Sequence, residues 1–207
     1  MLLALYGLAA LGNVIAAGTG NHVLDWATKP LLMPLLTWWL WRTAGRDAKG
    51  ILAGLMFSWA GDVALQFDGQ LWFITGMLFF LCAHICYITT FLREGARPKA
   101  WVVAAYAVAL IGSLIVLWKP LGAMALPMSL YALALAAMAT LAASVNWRVG
   151  LGGMLFLVSD FLIAFRVAET WTVPGPPLWV MLTYTAAQFL IVTGWVERDR
   201  SLLGSTA

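Results

Sequence analysis

The sequence predicts an all-α, polytopic integral membrane fold with eight transmembrane helices, and three observations carry that reading. Of 207 residues, 63% are hydrophobic and only 10% are charged, far from the roughly one-quarter charged make-up of a soluble domain. The apolar residues gather into eight runs, each near the about 20 residues a helix needs to cross a bilayer. The basic residues fall unevenly among the gaps between runs, as the positive-inside rule requires of a membrane protein. No stretch is left over for a separate soluble domain, so residues 1–207 read as one transmembrane domain. The formal charge of +3 contains no basic run, so it speaks for loop charge and against a nucleic-acid surface. The lipid bilayer is the partner the composition implies, and no obligate protein partner is inferred.

The first helix is Leu2–Ala17, which lacks the basic n-region of a signal peptide and ends before Gly18 to Asn21. The second, Leu24–Trp41, carries Lys29-Pro30 on the way in and Trp38, Trp39 and Trp41 on the way out. Those tryptophans, with Trp101, Trp118 and Trp171, suit the interfacial aromatic belts. Arg42 to Gly50 lead to the third helix, Ile51–Phe67, and Asp68 to Gln70 separate it from the fourth, Leu71–Leu92. Cys82 and Cys86 lie four apart on one face of the fourth helix and read as packing residues, not as a disulfide. Arg93 to Lys99 precede the fifth, Trp101–Trp118, which carries no charged residue and ends at Lys119-Pro120. The sixth is Ala123–Ala143; the Gly and Ala of the fifth and sixth are ordinary close packing. Asn146 to Gly150 introduce the seventh, Leu151–Val167, and Val173 to Pro177 the eighth, Leu178–Val196.

Arg42, Arg46, Lys49, Arg93, Arg97, Lys99, Arg148, Arg198 and Arg200 follow even-numbered helices, whereas only Lys29, Lys119 and Arg166 lie after or near odd-numbered ones. Both termini are therefore expected in the cytoplasm, with a bacterial inner membrane the expected location. The halves are compatible with a 4+4 parallel repeat. Asp62 and Asp160 are related by nearly the same offset as Pro30 and Pro127, and an offset of four helices preserves direction.

Two acids inside apolar runs are what any function must explain. Asp62 sits in Ser58-Trp59-Ala60-Gly61-Asp62 and Asp160 in Phe156-Leu157-Val158-Ser159-Asp160. A carboxylate at the bilayer centre costs about 2.5–3.5 kcal/mol on insertion scales, and such residues usually face a bundle interior or a water-filled cavity. At about 1.5 Å per residue, Asp62 and Asp160 lie at similar depth. Lys29 enters from the outer side at a compatible level; Tyr131 and Gln188 fall near mid-bilayer, and His84 and Tyr87 somewhat deeper. Six helices thus send polar groups to one layer. Lys29 is read either as an interfacial lysine with a snorkelling side chain or as a cation that keeps one carboxylate ionised. His84 is read as a core histidine or a site member. Ser58, one turn before Asp62, is a candidate hydrogen-bond donor to it, while Ser159 adjoins Asp160 and points elsewhere. His22 and His84 are the only histidines, too few for a three-histidine zinc site, so no metal and no cofactor is called for. A Gly-x-Ser-x-Gly nucleophile elbow is missing.

Lys29-Pro30, Ser58-x-x-Gly61-Asp62, Gly76…Phe80…His84…Tyr87, Pro127…Tyr131, Phe156-x-x-Ser159-Asp160 and Tyr184…Gln188 together resemble the YhhN-type lysoplasmalogenases, over the second to eighth helices. Each motif is short, but their order and spacing are specific. The resemblance implies an eight-helix membrane hydrolase that cleaves the vinyl-ether bond of a lysoplasmalogen. The products would be a fatty aldehyde and glycerophosphoethanolamine or glycerophosphocholine. It also adds Tyr184 to the candidate site. Vinyl-ether hydrolysis protonates an alkene carbon and passes through an oxocarbenium ion that water captures. It needs an acid that holds its proton near neutral pH and a base beside the cation, roles that two carboxylates in unlike surroundings divide in glycosidases. The competing reading is a proton-coupled carrier or transporter of small lipids, since paired membrane acids also serve proton relays. An intramembrane aspartyl protease would require a Tyr-Asp and a Gly-x-Gly-Asp motif, and neither is present.

Overall fold

The protein is described by a computed structural model over residues 1–44, 48–170 and 175–204, excepting the side chains at 176 and 199–204. Arg46, Trp171 and the side chain of Arg200 lie outside the described residues. Among the described residues eight α-helices form, in order α1 Leu2–Thr19, α2 His22–Ala44, α3 Lys49–Ala64, α4 Gln70–Arg93, α5 Ala100–Leu121, α6 Ala125–Ala142, α7 Trp147–Val167 and α8 Pro176–Gly204, with a 3₁₀ turn at Gly122–Met124 between α5 and α6. Among the described residues there is no strand. Both cysteines are free.

Local chemistry explains where the helices begin. The Asn21 side chain accepts from the Leu24 amide at 3.0 Å, and Asp25 occupies the first turn of α2, favourable for an acid beside the unpaired amides of a helix start. Asn146 caps α7 in the same way, accepting from Val149 N at 2.9 Å. Its amide nitrogen also donates to Gly194 O at 2.7 Å, so one residue starts α7 and binds it to α8.

Several helix ends differ from the sequence expectation, and two differences bear on the site. Helix α3 stops at Ala64 and not at Phe67, because the chain tightens: Gln66 N bonds Val63 O at 3.2 Å and Phe67 N bonds Ala64 O at 3.2 Å. Gly69 then takes φ 106°, a conformation in which a side chain would be strained. Asp62 therefore sits in the last turn of α3. Pro30 is not near a helix start either, since α2 begins at His22, and both Pro30 and Pro34 are interior. Pro34 has no amide to give to the Pro30 carbonyl. The indole Nε1–H of Trp59 fills that role from α3, at 3.0 Å.

Helix packing closes a ring in the order α1, α2, α3, α4, α6, α7, α8 and back to α1. Helix α5 stands outside it, packed chiefly on α6 with a lesser contact to α7. Tyr6 of α1 donates to Thr185 O of α8 at 2.7 Å, fastening the closure. Between α3 and α4 glycines allow close approach: a Cβ on Gly61 would meet the Phe80 ring at 2.7 Å and Gly76 O at 3.2 Å. The outer surface is apolar, with Leu8, Val108, Ile111, Ile115 and Leu126 more than half exposed, as a lipid-facing surface demands. Helices α1, α4, α7, residues 177–198 of α8 and the α5–α6 run are long and apolar enough to cross a membrane. Helix α2 is more polar, holding Asp25, Lys29 and Arg42, and α3 has only 16 residues. The chain is an all-helical integral membrane protein.

Candidate active site

A cavity of about 720 Å³ occupies the ring interior and opens at the end where α1, α3, α5 and α7 finish. That volume lies in the range of small-molecule sites. Asp62 and Asp160 both line it, as do Lys29, Tyr131, Ser159 and Tyr184. The two acids on which the sequence argument turned are thus brought to one space from α3 and α7.

Each acid is held by a tyrosine from another helix. Tyr184 of α8 donates its hydroxyl to Asp62 Oδ2 at 2.7 Å, and Asp62 is 4% exposed. Tyr131 of α6 donates to Asp160 Oδ2. His84 Nε2 lies 3.0 Å from the same Tyr131 oxygen. A tyrosine has one hydroxyl hydrogen; with that hydrogen on Asp160, its oxygen accepts from His84 Nε2–H. The other ring nitrogen, Nδ1, is buried without a partner. A chain His84–Tyr131–Asp160 results, and its histidine is fully buried behind the cavity.

Ser58, Tyr87 and Gln188 form a second buried group deeper in the bundle. Tyr87 donates to Gln188 Oε1 at 2.9 Å, and Gln188 Nε2 donates to Ser58 Oγ at 3.0 Å. None of the three lines the cavity. Ser58 accepts from Gln188, and among the described residues it makes no hydrogen bond to Asp62, unlike the expectation from their spacing. Ser159 donates to Val180 O at 3.2 Å, holding α7 to α8 beside the acid.

Lys29 pairs with a residue the sequence reading overlooked. Its Nζ lies 3.2 Å from Asp25 Oδ2 one helical turn earlier. Asn13 of α1 donates to Asp25 Oδ1 at 2.8 Å, and Gln66 to Asp25 Oδ2 at 3.4 Å. The signal was present as an i,i+4 Asp–Lys pair.

The YhhN family model matches residues 24–195. A protein of Mycobacterium bovis named lysoplasmalogenase is 32% identical over 163 residues, covering 73% of this chain and 62% of that protein. Human lysoplasmalogenase TMEM86A is 32% identical over 164 residues, covering 73% and 67%. Human lysoplasmalogenase TMEM86B is 31% identical over 155 residues, covering 74% and 66%. The match thus spans somewhat under two thirds of the mycobacterial relative's length. No solved structure matches. With the family model covering most of its length and the two acids on one cavity, the chain belongs to the YhhN family.

Proposed function

We propose that this chain is a lysoplasmalogenase, hydrolysing the vinyl ether of a lysoplasmalogen to a fatty aldehyde and glycerophosphoethanolamine or glycerophosphocholine. The observation that carries the reading is the pair Asp62 and Asp160 on one largely apolar cavity, each oriented by a tyrosine. The names borne by relatives in a mycobacterium and in mammals support it.

In the proposed mechanism one aspartic acid gives its proton to the alkene carbon remote from the ether oxygen. The adjoining carbon becomes an oxocarbenium ion, stabilised by that oxygen and by the second, ionised carboxylate. Water attacks the cation and loses a proton to this carboxylate, giving a hemiacetal. Its collapse releases the aldehyde. The hemiacetal hydroxyl proton reloads the first aspartate, and the second returns its proton to the departing glycerol oxygen. Both groups end as they began. Positioned acid and base groups of this kind typically supply about 10²–10⁴-fold each. Tyr131, Tyr184, Ser159 and Lys29 act in the cavity wall; His84, Ser58, Tyr87 and Gln188 hold that wall from behind.

The proposal includes eight spans, one domain, cytoplasmic termini and a bacterial inner membrane. The more polar α2 and the short α3 then cross as members of the ring. A 4+4 parallel arrangement is supported by the neighbour order, since α2–α3–α4 packing recurs as α6–α7–α8, and α4 against α6 as α8 against α2. Helices α1 and α5 depart from it, as α1 closes on α8 while no comparable packing joins α5 to α4. Purified protein incubated with a lysoplasmalogen should release free aldehyde; an intact substrate after prolonged incubation with folded protein would remove the reading.

A further inference from the structure

The catalytic proposal uses the floor of the cavity and leaves its rim unexplained. At the open end stand His22, Asp25, Lys29, Gln66, Asp68 and Arg166. Lys29 and Asp25 already hold each other at 16% and 21% exposure. Asp25 is further occupied by Asn13 and Gln66, so it is a scaffold acceptor with little capacity left. Asp68 and Arg166 differ: both are exposed, and among the described residues neither has an ion pair. They are opposite charges on one rim, from different helix ends.

Much of the wall from α4, α5 and α6 is apolar. Met77 and Phe80 of α4, Leu114 and Leu117 of α5, and Met128 and Leu135 of α6 line it. A cavity with one charged rim and one apolar wall fits an amphiphile lying with its head at the mouth. The spacing also fits. Arg166 follows Asp160 by six residues on α7, about 9 Å along the axis. In a glycerophospholipid, six to seven bonds separate the phosphorus from the carbons of a 1-alkenyl double bond, a comparable length when extended.

We infer that the rim is a headgroup subsite for a zwitterionic phosphodiester. Arg166, aided by Lys29, takes the phosphate, Asp68 takes the ammonium, and the α4–α5–α6 wall takes the chain. Arginine offers a planar donor fork suited to phosphate oxygens. The inference rests on the lysophospholipid reading above, and binding is chosen as the readout so that the two can fail separately.

The test measures binding to the folded, detergent-solubilised full chain by calorimetry. Four probes are used: a saturated 1-alkyl lysophosphocholine, a 1-alkyl glycerophosphate, a 1-alkylglycerol and free glycerophosphocholine. Wild-type protein should bind the lysophosphocholine at least tenfold tighter than the alkylglycerol, and glycerophosphocholine far more weakly than either lipid. Arg166→Gln should erase most of the preference for phosphate while leaving alkylglycerol binding as it was. The wild type should bind the lysophosphocholine more tightly than the alkyl glycerophosphate, and Asp68→Asn should reverse that order. Equal affinity of the wild type for lysophosphocholine and alkylglycerol would overturn the subsite. So would folded Arg166→Gln and Asp68→Asn proteins with wild-type preferences. Binding of free glycerophosphocholine as tight as the lipid would replace the lipid by a soluble phosphodiester and also overturn it. Headgroup-dependent binding without aldehyde release from a lysoplasmalogen would uphold the subsite and remove the hydrolase. Aldehyde release with unchanged preferences in both variants would do the reverse.

Discussion

Asp62 and Asp160 differ from the other described acids in lying beside an apolar cavity with only a tyrosine hydroxyl as described partner. Replacing either by asparagine preserves shape and removes both proton donation and negative charge. Asp62→Asn and Asp160→Asn should each retain less than about one hundredth of wild-type aldehyde release, the lower bound of what general acid–base groups contribute. Either variant retaining more than about a tenth, a loss of only ~1.4 kcal/mol in barrier, would take that residue out of the pair. Tyr131 sits between Asp160 and His84, so in the proposed mechanism its hydroxyl orients a reacting group without itself exchanging a proton with substrate. Loss of a hydrogen bond to a charged group costs about 1.5–3 kcal/mol, which sets Tyr131→Phe at roughly 10–150-fold slower turnover. His84→Ala acts one bond further away and should cost less than Tyr131→Phe. A His84→Ala loss exceeding that of Tyr131→Phe would mean that His84 reaches the substrate by another route.

At the scale of elements, the site depends on how closely α3 lies against α2 and α4. A Cβ on Gly54 would stand 2.3 Å from the Tyr87 ring, and Tyr87 cannot retreat without breaking its bond to Gln188. Gly54→Ala should therefore lower stability by about 1–3 kcal/mol, the usual cost of overpacking, read as a lower thermal midpoint. Gly112→Ala on α5 has nothing within 4 Å and serves as the neutral control. An unchanged Gly54→Ala midpoint would show that α3 and α4 can part without consequence. Trp59→Phe strands the Pro30 carbonyl that Pro34 leaves open, and should cost about 1–3 kcal/mol in the same assay, as a buried unsatisfied acceptor does. These contacts mark the limit of what could be read from the residues alone. All eight helices were legible, because apolar runs and polar gaps follow from the cost of exposing backbone to lipid. So were Asp62 and Asp160, since a charge in lipid stands out. The Trp59–Pro30 bond, the Ser58–Gln188–Tyr87 group and the Asn13–Asp25–Gln66 cluster were not. Each joins residues distant in sequence through helix rotations that hydropathy does not encode. The early end of α3 was hidden too, because Leu65, Gln66 and Phe67 continue its pattern while forming turns.

The whole molecule brings α3 and α7 to one interior by closing seven helices into a ring, with two helices between them on one side and three on the other. Helix α5, outside the ring, contributes Ser113, Leu114, Leu117, Trp118 and Leu121 to the cavity wall. The enclosed space is therefore built jointly by most of the bundle, and what it accepts should be decided by shape and burial before chemistry begins. That separation of binding from reaction gives the decisive whole-protein test of the proposed mechanism. A saturated 1-alkyl lysophospholipid has the chain and headgroup of the substrate and should occupy the cavity comparably. It offers no alkene for Asp62 or Asp160 to protonate, and its ether oxygen has no adjoining carbon that can become a stabilised cation. It should act as a competitive inhibitor, raising the apparent KM for a lysoplasmalogen without changing kcat, and yield no product. A 1-acyl analogue should also survive, since its cleavage calls for attack at a carbonyl and not for protonation at carbon. Because proton transfer to carbon is slow, turnover of the vinyl ether should fall in heavy water when that step limits the rate. Cleavage of the saturated ether, or esterase activity that disappears in Asp62→Asn, would defeat an oxocarbenium route and reassign the same cavity to a different lipid hydrolysis.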